Sequence, residues 1–183
     1  MTSTQSPGIA IPGLSLFAPF RGKIQRTMLA VAGLTYRKID PHADDGFTYE
    51  NYLAACVASY GSDERALCRK RYRAWLRARV EEFPDGNVFA MFGGTRVGQL
   101  ELQVPYGLQT GYINLYAVAA PFRGMGVGRM MHGYVDKYFR SWEATEVELH
   151  VSLSNEVAVN LYQSLGYRFV KQEGKQWRMS LTL

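Results

Sequence analysis

The stretch Arg123-Gly124-Met125-Gly126-Val127-Gly128 carries more information than any other part of this 183-residue chain. The apolar residues 113–118 before it predict a buried strand. Apolar residues after it recur at helical spacing, at Val127, Met131, Tyr134, Val135 and Tyr138. Because glycine has no side chain, the backbone N–H groups at the start of that helix are open to an anion, and the helix dipole adds partial positive charge. The order of strand, glycine turn and helix therefore predicts a phosphate-binding turn.

Spacing separates this turn from two other phosphate-binding turns. A P-loop carries Lys followed by Ser or Thr after its last glycine, whereas Arg129-Met130 stands there in this chain. A dinucleotide-binding turn follows the pattern Gly-x-Gly-x-x-Gly, but counted from Gly124 or from Gly126 the sixth residue is not glycine. The pattern that fits is Arg-x-x-Gly-x-Gly, which begins at Arg123 and ends at Gly128.

That pattern resembles the coenzyme A pyrophosphate loop of the GNAT family of N-acetyltransferases. A second stretch, Asn155-Glu156-Val157-Ala158-Val159-Asn160-Leu161-Tyr162, continues to Leu165-Gly166-Tyr167 and follows a predicted strand at residues 147–151. It resembles the family pattern Asn-x-x-Ala-x-x-Leu-Tyr-x-x-x-Gly-Phe, with Tyr167 in place of the more common phenylalanine. An ordinary apolar helix stripe would account for the apolar residues, but not for Asn155 at the helix start downstream of a glycine loop. The two motifs stand in the order that the family has.

The resemblance covers roughly residues 34–183 and implies the fold class α/β (α+β), in the GNAT acyl-CoA N-acyltransferase arrangement. This fold has a mixed central sheet of roughly six to seven strands, splayed at the cofactor site and flanked by about four helices. The other predicted elements are strands at 35–39, 88–92 and 97–104, helices at 49–60 and 65–83, and a hairpin that pairs 167–170 with 176–183. Residues 1–33, rich in proline, glycine and serine, are expected to form a loosely ordered extension or docking arm, and residues 34–183 a single acetyltransferase domain. Met28 is an alternative start of the protein.

Composition predicts a soluble enzyme of the reducing cytoplasm. Hydrophobic residues make up 47% and charged residues 20% of the chain, which is ordinary for a globular protein. Its two cysteines, Cys56 and Cys68, fall within predicted helices without Cys-x-x-Cys spacing, so neither a disulfide framework nor a metal site is indicated. The first charged residue is Arg21, and prolines and glycines interrupt the segment before it, so neither a membrane span nor a secretory signal is expected.

The net charge of +5 is concentrated near the N-terminus. Residues 1–40 carry five basic residues and one acidic residue, a net of +4, which leaves +1 for residues 41–183. A run of arginines on the predicted helix 65–83 has two open explanations, a solvated face or attraction of an acidic acceptor or the coenzyme phosphates. No recognition motif accompanies the charge, so nucleic acid is not expected as a partner. Since no membrane span is expected, no membrane is expected as a partner either.

The resemblance implies where acetyl-CoA would bind. Backbone groups of Tyr116, Ala117 and Val118 would pair with the pantetheine arm and the thioester carbonyl, and amides aimed at that oxygen stabilise a developing oxyanion. Asn155 would hydrogen-bond the pantetheine arm. The residues implied around the pyrophosphate are Arg123, Gly124, Met125, Gly126, Val127, Gly128 and Arg129. The sequence departs from the family three residues before the loop arginine, where proline is usual and Ala120 stands.

Acetyl transfer to an amine calls for two proton-transfer groups. An alkylamine with a pKa of about 10.4 must lose a proton before it attacks, and a thiol with a pKa of about 8.5 leaves more easily when it is protonated. Tyr162 matches the family's general acid, which touches the cofactor near its sulfur, and a core aromatic is its other explanation. His150 falls where relatives that modify protein N-termini often carry a glutamate base, and a neutral histidine suits that role. Glu101, on the polar side of an alternating strand, is the rival base acting through a water; for either residue a solvated strand face is the alternative.

The implied function is transfer of an acetyl group from acetyl-CoA to a primary amine by direct attack in a ternary complex. The acceptor is open between a protein N-terminus and a small amine. Leu149-His150-Val151 followed by Ser154-Asn155 resembles the ribosomal-protein alanine N-acetyltransferases, while the short final hairpin suits a small amine equally well. Two alternatives remain, a catalytically silent acyl-CoA-binding sensor or interaction module and a transferase for a different acyl group. A homodimer is also left open.

Overall fold

A computed structural model describes residues 33–63 and 66–183. The extension expected at residues 1–33 therefore lies outside the described residues apart from Gly33, and so do Met28 and Arg65. Within the described residues, no helix is long and apolar enough to cross a membrane.

Seven strands of the described chain form one mixed sheet with the order β1-β2-β3-β4-β5-β7-β6. The strands are β1 (Thr35–Lys38), β2 (Asn87–Phe92), β3 (Thr95–Gln103), β4 (Thr110–Val118), β5 (Glu146–Ser152), β6 (Arg168–Glu173) and β7 (Gln176–Thr182). Every neighbouring pair is antiparallel except β4 and β5, which run parallel. The mixed sheet expected from the sequence is confirmed, and β6 and β7 form the final hairpin.

Four α-helices lie within residues 33–63 and 66–183, namely α1 (Asp45–Tyr60), α2 (Arg69–Glu82), α3 (Val127–Ser141) and α4 (Glu156–Ser164). Helix α1 begins before the expected position 49, and α2 begins at Arg69, after the expected position 65. Asp45 in the first turn of α1 accepts hydrogen bonds from Arg69 and Arg73 of α2, so the two helix starts stabilise each other. Cys68 is extended, with φ −60° and ψ 154°, and it lies exposed before α2 rather than within a helix.

The arginine run on α2 is largely paired with carboxylates. Arg69 and Arg73 bind Asp45. Arg77 and Arg79 pair with glutamates one turn further along their own helix. Of the two explanations left open for this run, a solvated and ion-paired face fits the structure.

The sheet separates two apolar clusters. Side chains alternate along a strand, so Leu100 and Phe89 belong to opposite faces. Leu100 lies in the larger cluster with Met131 of α3, and Phe89 lies in the smaller cluster with Tyr72 of α2. Helix α3 approaches the sheet so closely at Gly98 that a Cβ there would lie 2.5 Å from Met131 Sδ.

Strands β4 and β5 separate half-way along β4. Their pairing ends with Ile113 opposite Leu149. A register shift between β3 and β4 at this point leaves Asn114 opposite no residue, and such a bulge bends a strand. Strand β4 continues to Val118 without a neighbouring strand of the described chain on the β5 side, so the sheet is splayed as the fold class implies.

Candidate active site

The outer half of β4 presents a backbone edge to the cleft that opens between β4 and β5. This edge comprises Tyr116, Ala117 and Val118, the residues expected to bind pantetheine. Its other side pairs with residues 98–100 of β3, which hold it in place. The Tyr116 hydroxyl donates a hydrogen bond to the backbone carbonyl of Gly128, which ties β4 to the first turn of α3. A strand edge beside a helix N-terminus suits a ligand that has both amide groups and phosphate.

The glycine loop passes into α3 at Gly126. Gly124 and Gly126 have φ values of 71° and 86°, in the left-handed region that glycine adopts without strain. The Met130 N–H donates to the Gly126 carbonyl at 3.1 Å and opens the hydrogen-bond ladder of the helix. The N–H groups of residues 127–129 precede this ladder and point out of the N-terminus, where the dipole favours an anion.

Two arginine side chains form hydrogen bonds between the glycine loop region and neighbouring elements. Arg123 Nε donates to a backbone carbonyl at the end of β4, at 3.0 Å. Arg129 donates to the Ser164 Oγ at 2.8 Å, at the end of α4 where a helix carries partial negative charge. A Cβ on Gly128 would lie 3.0 Å from a methyl carbon of Leu161, so this glycine lets α4 pack closely. The two arginines keep positive charge near the loop.

Asn155 caps α4. Its Oδ1 accepts a hydrogen bond from the Ala158 N–H at 3.2 Å, which satisfies one of the free N–H groups in the first turn. This bond occupies the amide oxygen, so the amide nitrogen is the group that can donate to a ligand. Asn155 thus has a structural role, and its binding of pantetheine stays a prediction.

Tyr162 lies in an aromatic group between α4 and β4. Its ring centroid is 5.9 Å from that of Tyr116 and 5.5 Å from that of Tyr167, and the residue is 7% exposed. Burial raises the pKa of Tyr162 well above its ordinary value, so the hydroxyl keeps its proton at physiological pH. A core aromatic and a protonated donor beside the β4 edge are therefore compatible descriptions of this residue.

His150 lies in a hydrogen-bonded group rather than on an open strand face. Its Nδ1 is bonded to the hydroxyl of Tyr112 on β4, and its Nε2 lies 3.0 Å from Oε2 of Glu173 at the end of β6. The sequence did not reveal Tyr112 or Glu173 as partners. The parallel register of β4 and β5 and the strand order β5-β7-β6 bring them to His150, and neither is visible in a local sequence pattern.

Glu101 is buried beneath α1 and α2, so the alternative explanation given for it, a solvated strand face, is wrong. The residue is 2% exposed, and its Oε1 accepts hydrogen bonds from the Tyr72 hydroxyl and, at 2.7 Å, from Gln99 Nε2. Gln99 in turn accepts a hydrogen bond from Asn51 of α1 at 2.9 Å. Burial raises the pKa of Glu101 to about 7, against the lowering effect of these hydrogen bonds. Its network connects both helices to the sheet and shares no residue with the group around His150.

A comparison with protein families decides the classification. The model of the Acetyltransferase (GNAT) family matches residues 48–167. This chain belongs to the GNAT family.

Several solved structures share the fold of this GNAT chain, and each of the three described next covers 82% of this chain. Spermidine N-acetyltransferase from Vibrio cholerae, in complex with CoA and spermine, is 17% identical, is covered over 96% of its own chain and has a TM-score of 0.67. The paia N-acetyltransferase from Thermoplasma acidophilum, in complex with coenzyme A, is 15% identical, with 99% coverage and a TM-score of 0.64. Ribosomal-protein-alanine N-acetyltransferase from Brucella melitensis is 19% identical, with 100% coverage and a TM-score of 0.61.

Apart from Glu101, the predicted site residues of this GNAT protein fall into two groups in the structure. One group follows the cleft and consists of the β4 edge, the glycine loop, Asn155 and Tyr162. The other consists of His150 with Tyr112 and Glu173. Glu101 belongs to neither group.

Proposed function

We propose that this chain is an N-acetyltransferase that moves an acetyl group from acetyl-CoA to a primary amine by direct attack in a ternary complex. The observation that carries the proposal is the splayed edge of β4 at residues 116–118, next to the open N-terminus of α3. A strand edge offers hydrogen bonds to the amide groups of pantetheine, and a helix N-terminus offers N–H groups to a pyrophosphate. The two lie side by side where β4 leaves β5.

In this proposal the cofactor follows the cleft from loop to strand. The N–H groups of residues 127–129 hold the pyrophosphate, and Arg123 and Arg129 add positive charge nearby. Asn155 donates its amide N–H to the pantetheine arm. Backbone N–H groups of the β4 edge face the thioester oxygen and stabilise the charge that develops on it.

The proton transfers are assigned to His150 and Tyr162. An amine enters as an ammonium and leaves as an amide, so its nitrogen loses two protons during the reaction. His150, reached through the hydroxyl of Tyr112, takes the proton that frees the lone pair, and the amine then forms the C–N bond as the C–S bond breaks. Tyr162 gives a proton to the departing thiolate. The second amine proton replaces it, and the first passes from His150 to solvent.

The acceptor class has two candidates. Structures with the same fold are named for spermidine and for ribosomal-protein alanine, which represent a small amine and a protein N-terminus. Transfer of a different acyl group is one alternative, and it depends on which acyl chain the pocket around the thioester admits. A catalytically silent acyl-CoA sensor is the other alternative, because it would bind coenzyme A and release no thiol with any amine.

The proposal includes the setting of the enzyme. Residues 34–183 would form its single catalytic domain, and the cytoplasm would be its compartment. Cys56 and Cys68 are both free, which fits a reducing environment. Neither nucleic acid nor a membrane is proposed as a partner, and a homodimer remains open.

Gly126→Val tests the donor site. A branched side chain at this left-handed position, beside the open N–H groups, should weaken acetyl-CoA binding by at least about tenfold in calorimetry while leaving circular dichroism unchanged. Gly133→Val is the matched control on α3, where a Cβ meets nothing within 4 Å, and it should bind normally. Unchanged binding by Gly126→Val would remove the loop from the site. A thiol-release screen of peptides, polyamines and amino acids then separates a transferase from a sensor.

A further inference from the structure

Side chains from three strands meet at His150. The hydroxyl of Tyr112 on β4 is bonded to Nδ1, and Oε2 of Glu173 at the end of β6 lies 3.0 Å from Nε2. The other carboxylate oxygen of Glu173 is held by Lys171 Nζ at 3.1 Å. The side chains of His150 and Glu173 are 26% and 34% exposed, so the pair is partly shielded from solvent.

These hydrogen bonds determine which nitrogen of the neutral His150 ring carries the hydrogen. Hydrogen bonds from Lys171 and His150 lower the pKa of Glu173, and an ionised carboxylate only accepts, so Nε2 must be the donor to it. Burial, together with the charges of Glu148 and Glu173, raises the pKa of Tyr112 to about 12. Tyr112 therefore keeps its proton and donates it to Nδ1. The neutral imidazole has its hydrogen on Nε2 and offers Nδ1 as an acceptor.

We propose that Glu173 is a positioning residue for His150, holding the Nε2–H tautomer and stabilising the imidazolium that forms when Nδ1 takes a proton through Tyr112. This inference rests on the proposed function, in which His150 is the base. Lys171 opposes the effect, because its ammonium on the second carboxylate oxygen reduces the negative charge that acts on His150.

The proton path balances without a further reactant. The amine gives a proton to the oxygen of Tyr112 as the proton of Tyr112 moves to Nδ1 of His150. The Nε2–H of the resulting imidazolium stays directed at Glu173, so a positive ring lies against a carboxylate. The imidazolium returns its extra proton to solvent after the acetyl group has moved.

Other titratable and charged groups surround the Tyr112–His150 pair. They are Tyr60 of α1, Glu148 of β5, Lys171 and Glu173 of β6, and Arg178 of β7. Arg178 lies opposite His150 and 3.4 Å from Glu148, so these two charges largely offset each other. Glu173 is the carboxylate in direct contact with the ring.

Glu173→Gln tests the role because it removes the charge and keeps the shape. We expect the acid limb of the kcat/KM profile to move to lower pH, because the imidazolium loses its carboxylate. Lys171→Gln should move the same limb to higher pH, because the full charge of Glu173 then acts on His150. Glu146→Gln is the matched control, with the same loss of charge on the strand of His150, and should leave the profile in place. An acid limb that stays in place in Glu173→Gln overturns the proposal.

Nitrogen-15 NMR of the imidazole rings tests the same role without turnover. The chain has three histidines, and the signals lost in His150→Gln identify the ring. The wild-type spectrum at high pH should show the Nε2–H tautomer, and Glu173→Gln should show a mixture. A ring with its hydrogen on Nδ1 in the wild type would overturn the positioning role. The predicted tautomer in a protein that acetylates no amine would instead support the positioning and reject the proposed function.

Discussion

Asn155 caps α4 with the oxygen of its side-chain amide, and the proposed function assigns the nitrogen to the cofactor. Asn155→Ala removes both atoms, whereas Asn155→Asp keeps a capping oxygen. We expect the alanine variant to lower the free energy of unfolding by about 1 kcal/mol in urea denaturation, and the aspartate variant to leave it unchanged. Both variants should weaken acetyl-CoA binding about tenfold in calorimetry, because the hydrogen bond proposed from the amide nitrogen to the cofactor is lost. Full affinity in both variants would exclude Asn155 from the binding site.

Tyr162 is the residue for which packing and chemistry can be separated most cleanly. Tyr162→Phe keeps the ring that packs on Tyr116 and removes the hydroxyl that is the proposed proton donor. We expect kcat to fall about 100-fold while the Kd for acetyl-CoA stays unchanged, as steady-state kinetics and calorimetry would measure. Tyr167→Phe is the matched control, because its buried hydroxyl has no hydrogen-bond partner among the described residues, and kcat should stay near wild type. Equal losses in the two variants would mean that Tyr162 acts through packing alone.

At the level of elements, the contact of α3 with the sheet determines the position of the outer half of β4, which the proposed function assigns to the cofactor. A Cβ on Gly98 would lie 2.9 Å from the backbone oxygen of Ala117 as well as against Met131. Gly98→Ala should therefore lower the free energy of unfolding by about 1–3 kcal/mol and also weaken acetyl-CoA binding, because β4 must move. Gly133→Ala, exposed on the same helix with no atom near the new Cβ, should raise stability by about 1 kcal/mol. Urea denaturation of both variants measures the contrast, and a neutral Gly98→Ala would contradict the close approach.

The ends of helices and strands were predictable where the sequence pattern is local. The prediction failed where tertiary contacts determine the end of an element. The hairpin and the helix after the glycine loop follow from turn chemistry and apolar spacing, and both are present. The starts of α1 and α2 depend on Asp45 binding Arg69 and Arg73, residues that are distant in sequence. The bulge at Asn114 that ends the β4–β5 pairing likewise has no signature such as glycine or proline. Ion pairs and bulges of this kind appear only when the sheet is assembled.

At the scale of the whole molecule, the two motifs gave the fold and the cleft, because each lies on one strand–turn–helix unit. The surroundings of the two candidate bases, Glu101 and His150, could not be predicted from these motifs. Alternation on β3 correctly grouped Glu101 with Gln99 and wrongly predicted solvent, since α1 and α2 cover that face. His150 acquires Tyr112 and Glu173 from strands on opposite sides of β5. Polar periodicity shows that a face is not part of the apolar core, and does not show what packs on it.

Buried Glu101 also couples the stability of the whole fold to pH. Its pKa is raised to about 7 in the folded protein, so the folded state binds a proton more tightly than the unfolded chain does. Stability from this group is complete below the unfolded pKa near 4.5 and is lost as pH rises through about 7. Asp45 acts in the opposite sense, because Arg73 and Arg69 lower its pKa to about 2. The contribution of Asp45 to folding stability is present above about pH 4 and is lost as the pH falls toward 2.

Glu101→Gln should remove the loss of folding stability near neutral pH and keep the loss of folding stability at acid pH. The glutamine oxygen can still accept from Tyr72 and Gln99, while the buried charge is gone. We expect the variant to match the wild type near pH 4 and to exceed it at pH 8 by on the order of 3 kcal/mol, because one pKa unit corresponds to about 1.4 kcal/mol. Urea denaturation across this range measures the difference, with Glu50→Gln on the exposed face of α1 as the control that should follow the wild type. Parallel curves for Glu101→Gln and the wild type would mean that the carboxylate ionises in the fold without penalty, with its charge compensated where it lies.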